Sequence, residues 1–242
     1  MNHDDRVLRL NHPSGQSSVL QLFHFPSKGE RVSKHPTIHI YTLSRLVHAP
    51  AAGWEKLIDQ IETGRQKAYA YYLPMREAVV RFCGGGGKDF EEILADMKRR
   101  AEVMGGTRGR KVASDNENAF VTFVEEFYPK IGRFKRNLLH DIQSGVMLEG
   151  VALLGAPHFV AVDDKGETRY VFLYPAKWKP NELKSYLHLL ATIVEERYGG
   201  MSPQIWCMDL RTGKTVKFKR TARLSSRCSD AAKHYARVSG LI

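Results

Sequence analysis

From Ser114 to Phe218 the hydrophobic spacing of this chain switches between helical and strand periods in a set order. That order limits the fold more than any other feature of the 242 residues. Phe120, Phe123, Val124 and Phe127 recur at helical intervals behind Ser114 and Glu117, which have capping-box spacing, and Pro129 ends the run. Three extended stretches follow at 146–148, 151–162 and 170–174, separated by turns at Glu149-Gly150 and at residues 163–166. Asn181 then opens a helix carrying Leu183, Tyr186, Leu187, Leu190, Ile193 and Val194, which Gly199-Gly200 terminates. Strands at 205–210 and 215–218, joined at Thr212-Gly213, complete the pattern. The sequence therefore predicts an α/β (α+β) fold, with a mixed central sheet flanked by helices.

Ahead of this core, residues 1–110 read as a mainly helical N-terminal region. Its lead-in, 1–36, is broken by Pro13, Gly15, Pro26 and Gly29, with one alternating patch at 19–25. Trp54, Leu57, Ile58 and Ile61 start a helix that Gly64 weakens, and Pro74 suits the first turn of a second helix over 75–82. Asp89 and Glu92 form another capping box, before Phe90, Ile93, Leu94, Met97 and Ala101. The glycines 84–87 and Lys88 lack the Walker spacing, and Asp89 stands where Ser or Thr would bind Mg²⁺. The glycine-rich basic stretch 104–111 reads as a linker into a core domain at 111–220, and 221–242 as a basic C-terminal extension.

The apolar fraction of 43% and charged fraction of 26% exclude a collagenous, coiled-coil or wholly disordered chain. Thirty-seven Lys and Arg against 26 Asp and Glu leave a net charge of +11, which calls for an anionic partner. The excess is concentrated: nine basic residues face a single acid, Asp230, in 211–242. Lys217, Lys219, Arg220, Arg223 and Arg227 form the dense part of this tail, with Phe218 placed to stack a base. Further clusters are Arg108, Arg110 and Lys111, following Lys98, Arg99 and Arg100, and then Arg133, Lys135 and Arg136 beside Lys130. No apolar run approaches the ~18 residues of a membrane span, so no membrane partner is expected. Met1 to Leu10 mix Asp and Arg without an apolar stretch, and no leader is expected there. Cys83, Cys207 and Cys228 are too far apart for a disulfide framework or a CxxC knuckle, so the expected setting is the reducing cytoplasm.

The helix, three strands, helix, strand, strand order resembles the core of the PD-(D/E)xK nuclease superfamily, in its RecB-like branch. Gly155-Ala156-Pro157-His158-Phe159-Val160 is similar to the second-strand motif G-x-P-D-x-v of those nucleases. The 181–198 helix with Tyr186 is similar to the helix that follows their catalytic strands and ends in a Y-G turn. The likeness covers about 114–218 and implies a restriction-endonuclease-like core whose partner is nucleic acid, DNA rather than RNA. In the family, an Asp on the second strand and an acid plus Lys on the third hold Mg²⁺ and position the attacking water. Here the Asp position is His158, and Leu173-Tyr174-Pro175 stands where the acid and Lys belong.

The reading that follows is a nucleic-acid-binding protein on a nuclease-like fold that does not cleave and needs no cofactor. Mg²⁺ or Mn²⁺ enters only in the alternative of an active nuclease with relocated ligands. Its catalytic candidates are His158, Lys177 and Glu117, and Asp163 and Asp164, with Glu149 nearby, are its metal candidates. Each has a plainer role to hand: a hydrogen-bonded histidine, an exposed lysine after a strand, a capping-box acid, and two turn aspartates. A third reading is a non-enzymatic scaffold for an acidic protein. His35, His39, His140, His188 and His234 have no metal spacing, no G-x-S-x-G is present, and Cys207 lies in an apolar strand where a thiol is inert.

Overall fold

A computed structural model describes residues 35–103, 106–141 and 146–239, so the alternating patch at 19–25 lies outside the described residues. In chain order the elements are β1 (Thr37–His39), α1 (Ile40–Leu46), α2 (Trp54–Gly84), α3 (Phe90–Glu102), α4 (Gly106–Glu126) and β2 (Ile131–Asn137). Then come β3 (Met147–Leu148), β4 (Val151–Leu154), β5 (Phe159–Asp163), β6 (Thr168–Tyr174), α5 (Pro180–Tyr198), β7 (Ile205–Asp209), β8 (Lys214–Val216) and α6 (Ala222–Val238). The result is an α+β fold, as its periodicities predict. A five-stranded sheet has the order β2-β5-β6-β7-β8, and β6 and β7 form its parallel pair. A second sheet, β1-β4-β3, pairs β1 parallel to β4.

Period-two alternation feeds two cores on opposite faces of the large sheet. Phe159, Ala161, Val171, Leu173 and Met208 point to one face, where they meet the C-terminal half of α2 together with α3 and α4. Val160, Tyr170, Phe172, Tyr174, Ile205 and Cys207 point to the other, against α1, α5, α6 and the small sheet. Helix α5 is buried on nearly every side and forms the centre of this second layer. It starts at Pro180 behind Lys179, one residue before the expected cap Asn181, because proline's fixed φ suits the first helical position. It ends where expected, at Gly199, with φ 64° and its N–H on the Val194 carbonyl.

Several expected boundaries move. Residues 151–162 are not one strand: Gly155, Ala156 and Pro157 break the run, and its halves join different sheets. Pro157 cannot donate to a ladder, and a Cβ on Gly155 would lie 2.7 Å from Ile40 Cδ1, so helix α1 packs directly onto the break. The first strand of the large sheet is β2 rather than 146–148. Bulges between Ile131 and Arg133 and between Phe134 and Arg136 erase its alternation, which hid it from period-two reading. Most of the supposed linker at 104–111 is the first part of α4, which crosses the expected boundary at 110 without interruption, and Ser114 and Glu117 are interior helical positions instead of a cap. Residues 221–242 are more than a basic extension. Helix α6 buries Cys228, Ala231, Ala232 and Ala236 and exposes its charges.

The N-terminal helices also fuse. Helix α2 runs 31 residues through both Gly64 and Pro74. An interior proline removes one N–H and crowds the preceding turn, which normally breaks a helix. Here buried Asn116 of α4 enters the gap: its Oδ1 accepts from Met75 N–H at 3.0 Å, and its Nδ2 donates to the Tyr71 carbonyl at 2.8 Å.

Candidate functional site

The chain between β8 and α6 carries Lys217 and Lys219 into a groove shared with Asn181 and Lys184 of the first turns of α5. Arg223 and Arg227, one turn apart on α6, face the same space. With Lys184 of α5 and His48, which follows α1, they line a groove of about 620 Å³. Phe218 and Leu224 supply its apolar surface, and among the described residues no carboxylate lines it. Four of the five tail cations singled out in the sequence thus converge. The fifth, Arg220, turns to an ion pair with Glu195 and to Thr192 Oγ1 at 3.3 Å, which ties the segment to α5.

His48 sits at the rim. Arg227 donates to its Nδ1 at 3.3 Å and to the Val47 carbonyl at 2.9 Å, so the imidazole proton is on Nε2, 2.8 Å from Ser185 Oγ. That tautomer donates to the serine and cannot take its proton, and Ser185 is fully buried, so the pair is not a nucleophilic dyad. Burial, and then the charge of Arg227, lowers the His48 pKa and keeps the ring neutral. Lys184 and His48 escaped sequence reading, since 136 positions separate them and neither belongs to a basic run.

The other two basic clusters do not join this groove. On the α3–α4 face the cations are interleaved with acids: Lys98 meets Glu117 at 3.1 Å, and Arg100 meets Glu77 at 2.7 Å and Asp96 at 3.0 Å. Lys111 lies 3.9 Å from Asp115, Arg110 lines a depression shared with Glu102 and Glu117, and Arg108 lies on α4. Arg133, Lys135 and Arg136 are exposed on β2, at the edge of the sheet opposite β8, across about 19 Å of strand spacing. Lys135 reaches Thr168 Oγ1 at 3.2 Å and Arg136 reaches Asp141 at 3.7 Å.

The position that resembles the nuclease centre is built differently from a metal site. His158 stands just before β5, buried, with Nδ1 accepting from Leu173 N–H at 2.8 Å and its ring stacked on Phe172. Burial, and then the nearby Arg76 charge, holds its pKa well below the ordinary histidine value. Leu173 and Pro175 are also buried, and Lys177 is exposed in the loop beyond. Glu117 is spent on Lys98. Asp163 lies at the far end of β5, five residues from His158 and so roughly 16 Å along the strand, which rules out a shared ion. Its oxygens accept from the Lys165 and Glu167 N–H groups at 3.0 and 2.8 Å and from Arg169 Nε at 2.7 Å, closing the β5–β6 turn. Burial alone would raise the Asp163 pKa, but these donors outweigh it and hold it below the usual carboxylate value. Asp164 is exposed on the turn, and Glu149 lies in the β3–β4 turn, 3.7 Å from Lys233. These residues do not fit Mg²⁺, which needs converging carboxylates. Among the described residues no three His, Cys, Asp or Glu side chains are grouped to hold a metal ion.

All three cysteines are buried free thiols, and burial raises the pKa of Cys83 and of Cys228 to about 12. No described helix is long and apolar enough to cross a membrane. Comparison with protein-family models, with curated proteins and with solved structures finds no match for this chain.

Proposed function

We propose that this protein binds nucleic acid through the basic groove, on a nuclease-like core that does not hydrolyse phosphodiesters. The observation that carries the reading is the convergence of Lys184, Lys217, Lys219, Arg223 and Arg227 on one groove that no described carboxylate lines. Phosphate neutralisation by such cations releases counterions and gives affinity without sequence reading. The order of strands in the large sheet lends support: β2, β5 and β6 precede helix α5 and β7 and β8 follow it, with β3 and β4 of the small sheet inserted between β2 and β5. The chemistry at His158, Leu173 and Pro175 favours loss of catalysis, since nothing there holds a cation against the developing charge of a phosphoryl transition state. Three buried thiols suit the cytoplasm.

The test is nucleic-acid affinity measured over a range of salt. A steep fall is expected, with a log-log slope of roughly −0.7 to −0.9 per neutralised phosphate. Replacing Lys184, Lys217, Lys219 and Arg223 together by Gln should flatten the slope by about three. Salt-insensitive or undetectable binding at low ionic strength overturns the reading and favours an acidic protein partner. Nuclease assays in Mg²⁺ and in Mn²⁺ should stay at background, and turnover abolished by His158→Ala or Asp163→Ala would restore the enzyme reading.

A further inference from the structure

Resting on that reading, we propose that the groove receives a single nucleic-acid strand, with one base held against Phe218, and does not seat a duplex. Its volume, about 620 Å³, falls among cavities that enclose ligands of about 300–1,000 Å³, which admits a nucleotide or two. Residues of the first turns of α5 and α6 line it together with His48. A duplex can only ride on the rim of such a space, whereas a single strand enters and brings its phosphates to the cations that line it.

The placement of the cations fits one strand. Arg223 and Arg227 are one helical turn apart, about 6 Å between their Cβ atoms, and Lys217 and Lys219 are two residues apart in the segment between β8 and α6. Each pair therefore reaches consecutive phosphates along a single backbone. Phe218 lies between the two lysines in sequence, half-buried, packed against the core to which α5 and α6 contribute, and it lines the groove. A half-buried aromatic ring flanked by Lys and Arg stacks any base, since every base has a π face, and this recognition is available only to unpaired bases.

The full chain is tested by fluorescence anisotropy against a labelled DNA strand longer than a site of about 4–16 nucleotides, its blunt duplex, and an RNA strand of the same sequence. The DNA strand is expected to bind at least about tenfold more tightly than the duplex, and Phe218→Leu to weaken strand binding about tenfold while leaving the duplex unchanged. A preference between the DNA and RNA strands identifies the source of the strand and supports the site. Duplex binding as tight as that of the strand, or strand binding untouched by Phe218→Leu, overturns the inference while the nucleic-acid reading stands. Absence of binding to all three probes overturns both. Should Phe218→Leu fail to fold, the strand-to-duplex ratio of the unaltered protein decides.

Discussion

Asn116 closes the helical ladder of Met75: its side-chain Oδ1 accepts the Met75 N–H at 3.0 Å, while its Nδ2 donates to the Tyr71 carbonyl that this N–H would otherwise meet. The amide is inserted between donor and acceptor at the place where Pro74 distorts the turn. One buried residue of α4 thereby lets α2 continue as a single rod from the α1 side of the sheet to the α3–α4 side.

Asn116→Ala is therefore expected to destabilise the protein by about 2–4 kcal/mol, since the buried Met75 N–H and the part-buried Tyr71 carbonyl lose this partner. Urea unfolding measures it. Pro74→Ala should recover part of the loss in the double variant, because an alanine lets the Met75 N–H return to the Tyr71 carbonyl. Strictly additive effects of the two substitutions would show that the bridge and the proline are unrelated.

Stability should fall as the pH drops below about 6.5. His158 and His188 are buried neutral, and burial is the first cause of their lowered pKa values, His188 to about 4. Between the folded and unfolded pKa the unfolded chain binds more protons, so acidification favours unfolding, by up to about 1.4 kcal/mol per pH unit for each histidine. For His188 the loss is complete near pH 4, and for His158 it continues below the ordinary histidine range. Unfolding free energies at pH 7, 6 and 5 test this. His158→Asn, whose amide oxygen can still accept from Leu173 N–H, should reduce the slope, and an unchanged slope would remove His158 from the account.

The basic residues of β2 should matter for solubility rather than for binding. An exposed edge strand invites pairing with another chain, and Lys and Arg on it oppose that. Replacing Arg133, Lys135 and Arg136 by Thr is expected to raise self-association in sedimentation velocity while the salt dependence of nucleic-acid binding stays within about one unit of slope. A slope flattened as much as by the groove variant would make the β2 edge part of the interface.

What the sequence determined by itself was the set of locally encoded features: the apolar stripes of α3, α4 and α5, the αL stop at Gly199, the turn at 163–166, strands β6 and β7, and the basic tail. Each depends on spacing within a few residues, where period and turn chemistry act. Tertiary structure decided the rest, because those outcomes depend on residues far apart in the chain. Pro74 reads as a helix start until Asn116, 42 positions later, supplies the missing bridge. Residues 151–162 read as one strand until α1 packs onto Gly155. Glu117 and Asp163 read as candidates for chemistry until Lys98 and Arg169 claim their carboxylates. The groove itself could not be read in advance: Lys184 and His48 reach Lys217, Lys219, Arg223 and Arg227 only because α5 and α6 are docked by apolar burial, a force that fixes distances between helices without any signature in the charges it brings together.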